Sequence, residues 1–322
     1  MDPARFFAAS RLLIVAGKGG VGKTVVSATL ARAAAKVGLS TLVIEVEGKS
    51  GLATMFGQPA LDYDGTVLAA GGGRAGEGEV RARTLTPDEA LLDYLRDHGL
   101  SRISKRLVSS GALDVVATAA PGIKDILVLG KVKQLERAAD TDLLVLDAPA
   151  AGHAITFLQA ARVLLDTVRV GPINAQARDV MEMLTDHARC RVALVTLPEE
   201  TPVNELVDTA FNLEDRVGVG LGPVIVNGLY DDHPGLRAKP SAAADAAGTT
   251  LRKGEAKALA DAATFRTDRM ALQVEQTGRL ADQLPLAQIR LPFVFTTEVG
   301  PTELELLADR LLAEVEALPE VV

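Results

Sequence analysis

Along most of the chain, short apolar runs alternate with longer amphipathic or alanine-rich stretches, which is how buried strands laid between helices read. Leu12 to Ala16 has the length of a buried strand and stops at Gly17. The proline-free, alanine-rich segment from Val25 to Val37 then reads as a helix ended by Gly38. Ser40 to Val46 is a second β run, so this part of the chain spells a βαβ unit with a right-handed parallel crossover. Residues 58–84, rich in glycine and charge, predict a poorly packed connection. A helix is expected from Thr86-Pro87-Asp88-Glu89, which supplies a cap, a proline at the first helical position and acids in the first turn. The helical pattern continues to residue 137 with a break near Pro121-Gly122, and Ile126, Leu127, Leu129, Val132 and Leu135 form a stripe suited to core packing. Asp142 to Asp147 reads as a strand ending in an acid. Further strands are expected at Arg191–Leu197, Pro223–Asn227 and Ala287–Leu291, and helices at Val203–Asp215, about Lys253–Leu284 and Thr302–Leu318. The fold class that follows is α/β, a doubly wound parallel sheet, in one domain over 1–322 with a helical insertion at 86–137.

The junction between the first strand and helix carries the chemistry. Gly17, Lys18, Gly19, Gly20, Val21, Gly22, Lys23 and Thr24 match the phosphate-binding pattern of glycine, four residues, glycine, lysine and a hydroxyl residue. Glycines let successive backbone N–H groups close on a polyanion, and the helix N-terminus adds partial positive charge. Lys23 is expected to reach the β and γ phosphates, and Thr24 to ligate Mg²⁺. Gly17, Gly19 and Gly22 also satisfy the dinucleotide fingerprint, with Glu45 and Glu47 about where a ribose-binding acid falls. Lys23 and Thr24 favour the triphosphate, because a lysine in the first helical turn has no role in a dinucleotide turn. Asp147, at the end of its strand, is the second expected metal partner.

Composition narrows the picture. With 48% hydrophobic residues and a mean hydropathy of +0.20, a substantial core is available, while aromatics are 3% and Trp is absent. A net charge of −8 and a pI of about 5.2 argue against a nucleic-acid or anionic-membrane surface. One cysteine, Cys190, reads as a core residue at a strand start and excludes an intrachain disulfide or a CxxC zinc clip. No apolar run is long enough for a membrane span, so the expected location is cytoplasmic, reaching a membrane only through a partner.

Several segments together resemble one family. KGGVGKT at 18–24 is similar to the deviant phosphate loop of the ArsA-like ATPases, the group holding arsenite-pump ATPases and tail-anchored-protein targeting ATPases. PGIKDILVLGKV at 121–132 resembles its PGIDEA segment and DAPAAGH at 147–153 its DTAPTGH switch. VIVNGL at 224–229 and LPFVFTTEVG at 291–300 are similar to its adenine-side segments. The anion-transporting ATPases of actinobacterial type fit best. The resemblance implies a SIMIBI-type fold, ATP or ADP with Mg²⁺, and a nucleotide-controlled dimer that captures and releases a client or membrane partner. It also implies that Lys18 reaches the partner subunit's phosphates, that Val25 lies at the nucleotide, that Asn227 with Pro292 and Phe293 holds adenine, and that Gly152 and His153 belong to a γ-phosphate switch.

Departures qualify these expectations. The first switch, usually DPAH, reads Glu47-Gly48-Lys49-Ser50, which leaves Glu47 to position the attacking water, with Glu45 as fallback. A weakly catalytic subunit pairing with a paralogous ATPase is the alternative, so both homodimer and heterodimer stay open. Val25 and Ala151 stand where the family commonly has threonine. One cysteine argues against thiol-based arsenite activation. The stretch of about 37 residues between His153 and Arg191 contains just two methionines, Met181 and Met183, which argues against a deep methionine-lined groove. The acidic last helix, with Arg310 as its one base, disfavours a MinD-like or ParA-like positioning ATPase.

Overall fold

The computed structural model describes residues 1–46, 51–72, 76–97, 99, 122–149 and 151–320, with backbone alone at 151–153. The first elements are α1 (Pro3–Phe7), β1 (Leu12–Gly17), α2 (Lys23–Lys36), β2 (Thr41–Val46), α3 (Leu52–Met55), β3 (Thr66–Ala69) and β4 (Val80–Leu85). Next come α4 (Pro87–Asp97), α5 (Ile123–Ala138), β5 (Leu143–Asp147), α6 (Ala151–Thr167), α7 (Pro172–Thr185) and β6 (Cys190–Thr196). The remainder is α8 (Glu200–Arg216), β7 (Gly220–Leu221), β8 (Val224–Leu229), α9 (Pro240–Ala246), α10 (Glu255–Gln283), β9 (Gln288–Pro292) and α11 (Pro301–Ala317).

The described strands form one nine-stranded sheet in the order β3-β4-β2-β5-β1-β6-β8-β9, with β7 pairing β6. All pairings are parallel except β3 with β4. Because successive side chains point to opposite faces, β1 sends Leu12, Ile14 and Ala16 into one core and Leu13 and Val15 into the other. The first core is covered by α4 to α8, the second by α1, α2, α3 and α11. Burial on both faces is why the central strands read as unbroken apolar runs rather than alternations. The expected α/β class with a doubly wound, mostly parallel sheet is what the chain adopts.

Sheet order fixes where a ligand can enter. From β1 the chain first builds β2, β4 and β5 on one side, then crosses to build β6, β8 and β9 on the other. The strand order therefore reverses at β1, and the crevice beyond its carboxyl end, between β5 and β6, is where open α/β sheets bind ligands. The last helix packs against α2 and β9. Leu304, Leu307, Leu311 and Val315 of α11 are all buried, as their spacing predicts, and Glu305 bonds both Arg32 and Lys36 of α2.

One expectation is overturned. Within the supposed poorly packed connection, Val80–Leu85 pairs in parallel with β2 over its whole length, and Val80, Ala82 and Leu85 are fully buried. The intervening arginines hid this strand: Arg81 is exposed, and Arg83 lies over the Tyr63 ring at 4.8 Å. The helix at Thr86 forms as expected, with the Thr86 hydroxyl accepting from Glu89 N at 3.3 Å. The second helical piece, α5, buries Ile126, Leu127, Leu129 and Val132 in the core. Residues 98 and 100–121, the remainder of the expected insertion, lie outside the described residues.

Candidate nucleotide site

Beyond β1 the backbone turns through Lys18 to Gly22 before α2 begins at Lys23. Two glycines have separate physical reasons for being there. A Cβ on Gly17 would stand 2.3 Å from the Val195 carbonyl oxygen, so the close approach of β6 requires glycine. Gly22 caps α2 with φ of 88° and ψ of 29°, the left-handed region that L side chains rarely adopt. Its missing Cβ would also lie 2.3 Å from Asn227 Nδ2.

Register brings the acids to this loop. Asp147, the last residue of β5, is level with Val15 of β1 and Glu45 of β2. Thr24 Oγ1 donates to Asp147 Oδ2 at 2.7 Å, and Ser27 Oγ, one helical turn later, donates to Oδ1 at 3.3 Å. Asp147 is only 7% exposed. Burial pushes its carboxyl above the usual range, partly opposed by the Thr24 hydrogen bond, the Lys23 charge and the Ser27 hydrogen bond. Burial lowers the Lys23 ammonium in turn, and Asp147 opposes that shift. A hydroxyl and a carboxylate oxygen within 2.7 Å of each other, flanked by a helix N-terminus, form the hard-oxygen donor set that suits Mg²⁺. Thr24 and Asp147 are thus brought together as their sequence positions suggested. Glu45, the fallback acid, is buried and accepts from Thr84 Oγ1 at 3.1 Å.

Both loop lysines are engaged within the chain. Lys23 Nζ donates to the Lys18 carbonyl at 3.1 Å, and Lys18 Nζ forms an ion pair with Glu205 Oε1 of α8 at 2.6 Å. Val21 is buried, and Val25 packs against the second core on the first turn of α2. Glu47 lies outside the described residues. Gly152 and His153 fall in the first turn of α6, their side chains undescribed.

The residues expected at adenine gather at the carboxyl ends of β8 and β9. Asn227 Nδ2 donates to the Val21 carbonyl at 3.0 Å, so it braces the phosphate loop as well as standing at this rim. Pro292 ends β9, and Phe293 N donates to the Leu229 carbonyl at 2.7 Å. The Phe293 ring meets Tyr230 at 5.2 Å and Phe295 at 4.7 Å between centroids, and Arg266 of α10 lies 4.0 Å from the Tyr230 centroid. Buried Gln273 locks this corner, accepting from Tyr230 N at 2.8 Å and donating to the Gly228 carbonyl at 3.0 Å. Sequence reading missed Ser27, Glu205, Tyr230, Phe295 and Arg266. Ser27 was detectable, since i and i+3 share a helix face with Thr24, and the rings were detectable from the scarcity of aromatics; nothing local marks Glu205.

Among the described residues no group of three or more histidine, cysteine or acidic side chains is placed to hold a metal ion, and no helix is long and apolar enough to cross a membrane. Cys190 is fully buried at the start of β6.

The profile of the family described as anion-transporting ATPase matches residues 10–171. ATPase BagA of Mycobacterium tuberculosis is 34% identical over 224 residues, covering 67% of this chain and 64% of that protein. ATPase GET3 of Pyricularia oryzae is 28% identical over 162 residues, 48% of this chain and 44% of its own length. The chain thus spans 64% of the mycobacterial relative's length. The matched half carries the phosphate loop, Thr24, Asp147 and the first turn of α6, and the chain belongs to the ArsA-type anion-transporting ATPase family.

Proposed function

We propose that the chain binds ATP with Mg²⁺ on the Gly17–Thr24 loop, hydrolyses it, and uses the nucleotide state to close and open a dimer that grips and releases a client or membrane partner. The observation that carries this reading is the Thr24–Asp147 pair at the strand-order reversal, with Lys23 at its side. Mg²⁺, when bound, supplies charge neutralisation on the phosphate oxygens. The residues of the chain do the rest. Loop N–H groups and the α2 N-terminus cradle the phosphates. Lys23 leaves the Lys18 carbonyl for the β and γ phosphates, and Thr24 and Asp147 would hold the metal through their oxygens. Glu47 orients the water and takes its proton as the water oxygen bonds phosphorus and the β–γ bridge breaks. Lys18 reaches the partner's phosphates, where cross-subunit cations contribute roughly 10³ to 10⁵ in rate. Gly152 and His153 lie in the segment that senses the γ phosphate, and Asn227, Pro292 and Phe293 hold the base.

Activation by arsenite held on several thiols does not fit this chain, because Cys190 is its single cysteine and is buried. A second reading is motivated by the Glu47-Gly48-Lys49-Ser50 sequence: a weakly catalytic subunit that pairs with a paralogous ATPase. The solution mass of Glu47→Gln alone, with ADP and with Mg²⁺-ATP separates the two. A homodimer formed only with Mg²⁺-ATP supports the switch. A monomer that binds ATP but does not pair moves the account to the heteromeric reading, and a chain that binds no ATP ends both.

A further inference from the structure

The Lys18–Glu205 ion pair has a consequence for the switch, and it rests on the reading that Lys18 acts across a dimer. Glu205 sits in α8, whose neighbouring Val203, Leu206 and Val207 are anchored in the core. The helix is fixed further by Arg269 bonding Glu199 at 2.7 Å and Arg279 bonding Asn204 at 2.6 Å, both from α10. The Glu205 carboxylate therefore has a defined position on the rim of the phosphate loop. Lys18, 38% exposed, is drawn to it at 2.6 Å, while its own carbonyl accepts from Lys23. A lysine intended for a second subunit is thereby held against its own.

We propose that Glu205 is a latch that keeps Lys18 on its own subunit until a partner's nucleotide competes it away. The strength of the pair suits that task. With the two side chains 38% and 43% exposed, it lies in the class of surface ion pairs whose effect on an equilibrium reaches about fivefold. A triphosphate carries several negative charges against one on Glu205, so it displaces the latch readily. A subunit without such a partner does not. Pairing with ATP on both sides must therefore break the latch and bears its cost, while pairing without a partner phosphate leaves Lys18 on Glu205 and bears none. Glu205 is a positioning residue, since it touches Lys18 and not the nucleotide.

The test uses the full chain carrying Glu205→Gln. Pairing is measured from solution mass against protein concentration with and without Mg²⁺-ATP, and nucleotide affinity is measured at concentrations below pairing. The expected result is a two- to fivefold drop in the concentration needed for pairing with Mg²⁺-ATP and none without it, no change in the affinity of the single subunit, and loss of the difference at high salt, which screens the pair. The drop must also vanish when Lys18→Met is added. An unchanged pairing concentration overturns the latch, and so does a shift that persists in the Lys18→Met background. Glu205→Asp, which retracts the carboxylate by one methylene while keeping its charge, gives a shift in the same direction if reach is what matters; no shift counts against it. Failure of the underlying reading has its own signature: Lys18→Met then pairs and hydrolyses like the parent chain.

Discussion

Asn227 offers the sharpest quantitative prediction, because the structure gives it a task before any nucleotide arrives. Its Nδ2 donates to the carbonyl of Val21, a residue only 2% exposed, and it fills the space a Cβ on Gly22 would need. Asn227→Ala removes one hydrogen bond, a net loss of about 1 kcal/mol, rising to about 2 if the Val21 carbonyl stays dry. Gly22→Ala should cost more. Holding an alanine at φ of 88° costs roughly 1–2 kcal/mol, and its methyl must push Asn227 aside, losing the same hydrogen bond. That bond can be lost only once. The double variant should therefore fall short of the sum of the singles by about 1 kcal/mol, the value of the shared interaction. Urea midpoints without nucleotide supply all four corners of the cycle. If Asn227→Ala unfolds at the same urea concentration as the parent chain, or the two substitutions add, Asn227 does not brace the loop.

Three further outcomes follow from particular contacts. Asp147→Asn should weaken Mg²⁺-dependent turnover by roughly 10- to 100-fold, the range found when groups that orient a metal site are lost, with nucleotide still bound; unchanged turnover would remove Asp147 from the metal site. The acidic limit of stability should track the α2–α11 contact. Burial raises the Glu305 carboxyl, but hydrogen bonds and charges from Arg32 and Lys36 outweigh it and hold it below its ordinary 4.5. Its folded pKa lies below its unfolded one, so its stabilisation is fully present above about pH 4.5 and fades as pH falls through the depressed value. The stability difference between the parent and Glu305→Gln should be flat near neutrality and shrink below that pH; a difference that is constant down to strong acid would contradict this. Cys190 should resist thiol reagents in the native state, because burial pushes its thiol well up and the first core encloses it. Labelling at the rate of a free thiol would show the strand start is open.

What the sequence made legible were features whose cause is local. A strand, a glycine turn and a helix with lysine and threonine at its start are specified by residues adjacent in the chain, as is a strand ending in Asp147. The final helix was legible because Leu304, Leu307, Leu311 and Val315 recur on one face. What escaped depends on partners distant in sequence. Strand β4 presents Arg83 to an aromatic ring 4.8 Å away instead of to solvent, so its alternation read as surface charge. The strand expected at Pro223–Asn227 forms as β8, and the two-residue β7 before it, which pairs with β6 ahead of Gly222-Pro223, was not expected. Asn227 bracing Val21 across 206 positions, and Glu205 holding Lys18 across 187, are products of the sheet order at β1 and have no local signature. Ser27 is the exception that could have been found, one turn beyond Thr24 on the face that Asp147 meets.

The central claim is that the Gly17–Thr24 loop, with Thr24 and Asp147, serves ATP hydrolysis. Phosphate release from Mg²⁺-ATP by the purified chain, run beside Lys23→Ala and with Mg²⁺ chelated, tests it most directly. The account predicts turnover by the parent chain that depends on Mg²⁺ and is lost in Lys23→Ala. Release that persists in Lys23→Ala, or that is indifferent to chelation, would contradict it.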